Sequence, residues 1–188
     1  MSDDIKPTPR LPGDQSQENE IARMIRVDHA GEHGAVRIYA GQLAVLGHTK
    51  SGDTIRHMAA QEAEHLETFD RLVAEHGVRP TALSPIWHVA GYALGAATAL
   101  MGEKAAMACT AAVEEVIDEH YAKQAATLAQ NGQGDAPLKA TIEKFRADEI
   151  AHRDTAIAHG AEETPGYRLL SDVIKTGCRI AIRLSERF

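Results

Sequence analysis

The sequence predicts an all-α fold, a four-helix bundle with one additional hydrophobic helix and one additional amphipathic helix. Three observations carry this. Aromatic residues make up only 4% of the 188, alanine is abundant, and alternating strand formers are scarce. Glycines and prolines at Gly47, Gly77, Pro80, Gly160 and Pro165-Gly166 divide the chain into helix-length segments. The segments also repeat, so that the first half of the chain resembles the second.

The length suits one domain with a sizeable core. A formal net charge of −7 argues against nucleic-acid binding through a global basic field. Cys109 and Cys178 have no metal-ligand spacing and read as two buried thiols in a reducing compartment. Residues 1–17 are polar and proline-bearing, without the apolar run of a signal peptide. They read as a disordered tail, leaving 18–188 as one domain.

The first core helix is expected over about 18–46. Gly31 and Gly34 lie inside it, each costing about 1 kcal/mol relative to alanine. Such glycines signal either close packing or room for something bulky. The second helix, about 51–76, has Ser51 as its expected N-cap and Asp53 in its first turn. From Thr81 to Gly102 there is no formally charged residue. Its length approaches that of a bilayer span. Pro85, His88 and the modest hydrophobicity of alanine argue instead for a buried or membrane-surface helix over about 82–102. The remaining core helices are expected over about 103–130 and 137–159, with Pro137 in a first turn and a loop over 131–135 between them. The last helix, about 167–187, is amphipathic: Lys175, Arg179, Arg183 and Arg187 recur every fourth residue beside an apolar side.

Displaced by 82 residues, Glu32, Tyr39 and Gln42 meet Glu114, Tyr121 and Gln124. Displaced by 87, Thr54, Glu62, His65 and Thr68 meet Thr141, Glu149, His152 and Thr155. Each half is therefore a helix with one glutamate followed by a helix with Glu-x-x-His. Residues three apart on a helix lie about 60° apart around its axis, so each pair aims a carboxylate and an imidazole at one point. The repeat selects Glu114 over its neighbour Glu115, because only Glu114 matches Glu32.

The set Glu32, Glu62, His65, Glu114, Glu149 and His152 is the ligand pattern of di-metal carboxylate sites in ferritin-like bundles. Four carboxylates in one core cannot remain ionised unaided, and two divalent cations balance them. Oxygen-rich ligands with two imidazoles suit iron or manganese better than zinc. Around this set, Asp148 is placed to reach the far nitrogen of His65, where the other half has Gln61. Asp28 lies one turn before Glu32, either to pair with Arg146 or Arg153 or as an ordinary surface acid. Tyr39 and Tyr121 share the faces of their glutamates. His120 and Tyr121 are candidates for moving protons or electrons, or Tyr121 is simply a packed tyrosine with a satisfied hydroxyl.

Val-Asp-His-Ala-Gly-Glu-His-Gly-Ala-Val-Arg-Ile-Tyr-Ala-Gly-Gln (27–42) resembles the first-helix motif of the demethoxyubiquinone hydroxylase family. So do the stretch from Cys109 to Tyr121 and the closing stretch from Gly177 to Phe188. The resemblance covers about residues 21–188 and has no departure at a ligand. It implies a ferritin-like di-iron monooxygenase acting late in ubiquinone biosynthesis, using O₂ to hydroxylate the ring of demethoxyubiquinone. The six implied iron ligands are those chosen by spacing. Electrons would come from NADH or the quinol, and no Gly-rich loop for tight dinucleotide binding is present. The chain looks like a short bacterial form without a mitochondrial targeting segment. The apolar prenyl tail, the uncharged 81–102 segment and the basic last helix together suggest an anionic membrane surface as partner, on the cytoplasmic side of a bacterial inner membrane. Alternatively, both segments pack on each other or on a partner, such as another protein of ubiquinone biosynthesis. The competing functions are another ferritin-like oxidase or peroxidase, and a non-catalytic quinone- or lipid-binding protein.

Overall fold

The computed structural model describes residues 16–130 and 135–188. Six α-helices follow one another: α1 (Gln17–Leu46), α2 (Gly52–Glu75), α3 (Ser84–Leu100), α4 (Glu103–Gln130), α5 (Ala136–Ala158) and α6 (Tyr167–Ser185). A 3₁₀ turn, Ala161–Glu163, connects α5 to α6 and was not expected. It is flanked by Gly160 and Gly166, both at positive φ (84° and 73°), where a side chain would be strained. No strand occurs among the described residues, and no helix there is long and apolar enough to cross a membrane.

Local chemistry explains the helix ends. The Ser16 hydroxyl accepts from Asn19 N at 3.2 Å, so α1 begins at Gln17. Ser16 and Gln17 thus belong to a capped helix; the remainder of the expected 1–17 tail lies outside the described residues. Asp135 accepts from Leu138 N at 3.0 Å and caps α5, with a proline in the first turn. The rest of the expected 131–135 loop also lies outside the described residues. Ser51 precedes α2 but makes no side-chain cap; its hydroxyl donates to Glu103 Oε2 at 2.8 Å and ties α2 to the start of α4. Helix α6 ends at Ser185, two residues earlier than expected.

Hairpins α1–α2 and α4–α5 form the four-helix core, α3 lies along α1, and α6 lies along α4. The α1–α3 approach is backbone on backbone. A Cβ on Gly95 would stand 2.0 Å from the Ile38 carbonyl oxygen, and one on Gly41 would stand 2.2 Å from that of Tyr92. Helix α3 is buried along Gly91, Gly95, Thr98 and Ala99, and exposes Ile86, Val89, Tyr92 and Leu100 on its other side. It is therefore neither wholly buried nor free.

The core divides along the bundle axis. One apolar cluster gathers Leu46, Ile55, Met58 and Met107 with Ala156; another gathers Ile25, Phe69, Leu128, Leu138 and Phe145. On all four core helices the predicted ligands lie between the residues of these two clusters. The polar centre is thus sealed by hydrocarbon at both ends.

Candidate metal centre

All six predicted ligands are buried, none more than 2% exposed. Helix α1 supplies Glu32, α2 supplies Glu62 and His65, α4 supplies Glu114, and α5 supplies Glu149 and His152. Their donor atoms fall into two groups, each within 4.8 Å and each able to hold a metal ion: Glu32, Glu62, His65 and Glu149; and Glu62, Glu114, Glu149 and His152. Glu62 and Glu149 belong to both groups. His65 Nδ1 stands 3.3 Å from Glu149 Oε1 and 3.6 Å from Glu32 Oε2. His152 Nδ1 stands 2.9 Å from Glu62 Oε1 and 3.4 Å from Glu149 Oε2.

The inward-facing atoms are chemically incomplete. Both oxygens of Glu62 and of Glu149, one oxygen each of Glu32 and Glu114, and Nδ1 of both histidines are buried without a hydrogen-bond partner. Buried polar atoms left in this state are costly, and their convergence fits a cationic occupant. Electrostatics agrees. Burial, then the charges of Glu149 and Glu114, drives the Glu62 carboxyl well above its ordinary range. Glu114 is raised by burial and by Glu149. Burial raises Glu149 to about 7, against the pull of the neighbouring His65 imidazole. Burial opposes a charged His65, yet the Glu149 and Glu32 carboxylates hold it up to about 10. The carboxylates draw in positive charge wherever it is offered.

The expected supporting residues fall around this core. Asp148 Oδ2 is 3.2 Å from His65 Nε2, the far nitrogen. Gln61 Oε1 takes the equivalent place 3.1 Å from His152 Nε2. Tyr39 shares a face with its own Glu32 but donates to Glu114 at 2.8 Å, across the bundle. Tyr121 reciprocates by donating to Glu32. Each half thus orients the other half's terminal carboxylate. Phe145 stacks on His65 with ring centroids 3.9 Å apart.

Asp28 does not meet Arg146 or Arg153. Both arginines pair with Asp118, at 2.6 and 3.4 Å. Asp28 is instead buried, accepts from Gln124 Nε2 at 2.8 Å, and stands 3.4 Å from His120 Nε2. Burial raises its carboxyl, opposed by His120 and Gln124. The network follows the repeat: Gln42, the counterpart of Gln124, makes the corresponding bond to Thr110 at 3.2 Å. Cys109 is buried as expected, but Cys178 is only half-buried.

Beside the centre, α1, α3, α4 and α6 enclose an apolar groove of about 390 Å³. Gly31, Gly34 and Gly177 open onto it, and a Cβ on any of them would meet nothing within 4 Å. Trp87, Val113 and Cys178 form other parts of its wall. The lining includes Gly31 and Val113, chain neighbours of Glu32 and Glu114.

A helical bundle whose core helices contribute two glutamates and two Glu-x-x-His pairs to one buried centre defines a protein of the ferritin-like carboxylate class. Within that class, the family described as "Ubiquinone biosynthesis protein COQ7" matches residues 19–185, and the chain belongs to it. The chain is 58% identical over 179 residues to a 3-demethoxyubiquinol 3-hydroxylase of Rhodospirillum rubrum, covering 95% of this chain and 83% of that one. It is 52% identical over 168 residues to the NADPH-dependent 3-demethoxyubiquinone 3-hydroxylase, mitochondrial, of Homo sapiens, covering 89% and 77%. The 5-demethoxyubiquinone hydroxylase, mitochondrial, of Saccharomyces cerevisiae is 42% identical over 181 residues, covering 89% and 78%.

Proposed function

We propose that the protein is a di-iron monooxygenase that hydroxylates the ring of demethoxyubiquinone or its quinol in ubiquinone biosynthesis. The observation that carries the metal assignment is the convergence of partnerless carboxylate oxygens and imidazole nitrogens in a sealed core. Glu32, Glu62, His65 and Glu149 would hold one ion, and Glu62, Glu114, Glu149 and His152 the other. Bound iron would supply the electrons that activate O₂. In the balanced reaction, one oxygen atom enters the ring C–H bond and the other leaves as water, with two electrons and two protons consumed. A reduced nicotinamide or the quinol would supply the electrons without a tightly held dinucleotide.

The chain's own residues perform the remaining tasks. Tyr39 and Tyr121 fix the terminal carboxylates, Asp148 and Gln61 fix the imidazoles, and the two apolar clusters exclude water. The groove offers an apolar wall to the prenyl tail, and the glycines of α1 give it width. The exposed side chains Ile86, Val89 and Leu100 on α3, with Leu169, Val173 and Ile180 on α6, provide a face suited to a membrane surface. Two of the four residues of the basic row are engaged with α4: Lys175 meets Glu115 at 2.6 Å and Arg179 meets Glu119 at 3.2 Å. Arg183 and Arg187 are the candidates for anionic lipid. These features support a reading of the protein as peripheral to a bacterial inner membrane, on the cytoplasmic side, where other proteins of the pathway would meet it.

The test is anaerobic loading with ferrous iron, then O₂, a reductant and a short-tailed demethoxyubiquinone analogue. Two irons per chain and a product heavier by one oxygen atom are expected. Iron binding without hydroxylated product would overturn the activity; no stable iron binding would overturn the metal assignment.

A further inference from the structure

The two halves of the centre differ behind the imidazoles. Asp148 and Gln61 stand at equivalent positions of the repeat, and each meets the outer nitrogen of a histidine from the opposite hairpin. The atoms that face the two outer nitrogens, Asp148 Oδ2 and Gln61 Oε1, are acceptors, so each Nε2 carries a proton and donates outward. His65 then donates to a carboxylate and His152 to a neutral amide. The next pair outward differs in the same sense. Gln124 donates to the Asp28 carboxyl, whereas its counterpart Gln42 donates to the Thr110 hydroxyl and the Ala106 carbonyl. Both acidic members fall in the half that contains His65 and Glu32.

An imidazole donating to a carboxylate is a more basic metal ligand than one donating to an amide, and it is held more firmly in one tautomer. We infer that the two metal positions are inequivalent: the position formed by Glu32, Glu62, His65 and Glu149, backed by Asp148, binds the first divalent ion, and the position formed with Glu114 and His152, backed by Gln61, binds the second. Asp148 is a positioning residue, since it meets His65 and is not among the converging donor groups. This rests on the reading of the site as a metal centre.

Anaerobic calorimetric titration of the metal-free full chain with ferrous iron alone, followed by Mössbauer spectroscopy, tests it. The wild type should bind in two steps and give two distinct ferrous signals. Asp148→Asn should weaken the first step about 10–100-fold, the scale set by outer partners of metal ligands, and leave the second within about threefold. Asp148→Glu should restore the first step, and Gln61→Asn should weaken only the second. Circular dichroism of each variant separates loss of binding from loss of fold. The inference is overturned if Asp148→Asn, correctly folded, leaves the first step unchanged or weakens both steps equally. A wild-type protein that binds no iron would instead overturn the metal assignment on which it rests.

Discussion

Glu114 and Glu115 are adjacent in the chain and opposite in circumstance. Glu114 is 1% exposed, accepts from Tyr39 and leaves Oε2 partnerless toward the centre. Glu115 lies on the other side of α4, with 39% of its side chain exposed, and pairs with Lys175. Glu114→Gln should therefore lower iron stoichiometry from two toward one and abolish hydroxylation, read by metal analysis and product mass. Glu115→Gln should keep both irons and change stability by less than about 1 kcal/mol, as for an exposed ion pair. At this scale the sequence was most legible where the repeat supplied a second copy for comparison. It selected Glu114, which is the one of the two that is buried. It could not place Asp28 opposite Gln124, because that contact depends on how α1 and α4 approach each other.

The glycines of α1 show what an element reveals and what it hides. One helix contains Gly31 and Gly34, which open onto the groove, and Gly41, which admits the backbone of α3. The sequence offered both roles without dividing them, since the division depends on where α3 lies. Gly95→Ala would drive a methyl group into the Ile38 carbonyl and should cost about 1–3 kcal/mol, seen as a melting temperature lower by several degrees. Gly177→Ala, in open space on α6, should be neutral or mildly stabilising in the same measurement. Gly34→Val projects into the groove. It should raise KM about tenfold for a long-tailed quinone relative to a tailless ring analogue, with iron content unchanged. The basic row on α6 was legible as a row. Its partial neutralisation by Glu115 and Glu119 was not, because those acids come from another helix.

Across the whole molecule, the buried centre sets the pH response of the metal-free protein. Glu149 is raised from an ordinary 4.5 to about 7, mainly by burial, and His65 from 6.5 to about 10 by Glu149 and Glu32 against burial. Both folded values exceed the unfolded ones. Their stabilising contribution is therefore fully present below the unfolded pKa of each group and is lost as pH rises through the folded value. The melting temperature of the metal-free protein should fall from about pH 4.5, where Glu149 begins to ionise in the unfolded chain, to about pH 10, where His65 loses its proton in the folded one. Ferrous iron should remove most of that fall, because a bound cation favours the ionised carboxylates. The bundle itself was legible from helix-length segments and the repeat. The 3₁₀ turn before α6 was not, since its three residues are too few for a periodic signal.

The crossed tyrosines have a consequence for the ancestry of the fold. Tyr39 reaches Glu114, Tyr121 reaches Glu32, and each imidazole leans on a residue of the opposite hairpin. A single ancestral hairpin with these side chains would have had no carboxylate of its own for its tyrosine and no partner for the outer nitrogen of its histidine. Two copies related by a two-fold axis would have satisfied both. Duplication and fusion would then have made a permanent couple of a reversible one, and only afterwards could Asp148 and Gln61 diverge. Symmetry would have come first, and the distinction between the two sides would be the younger character.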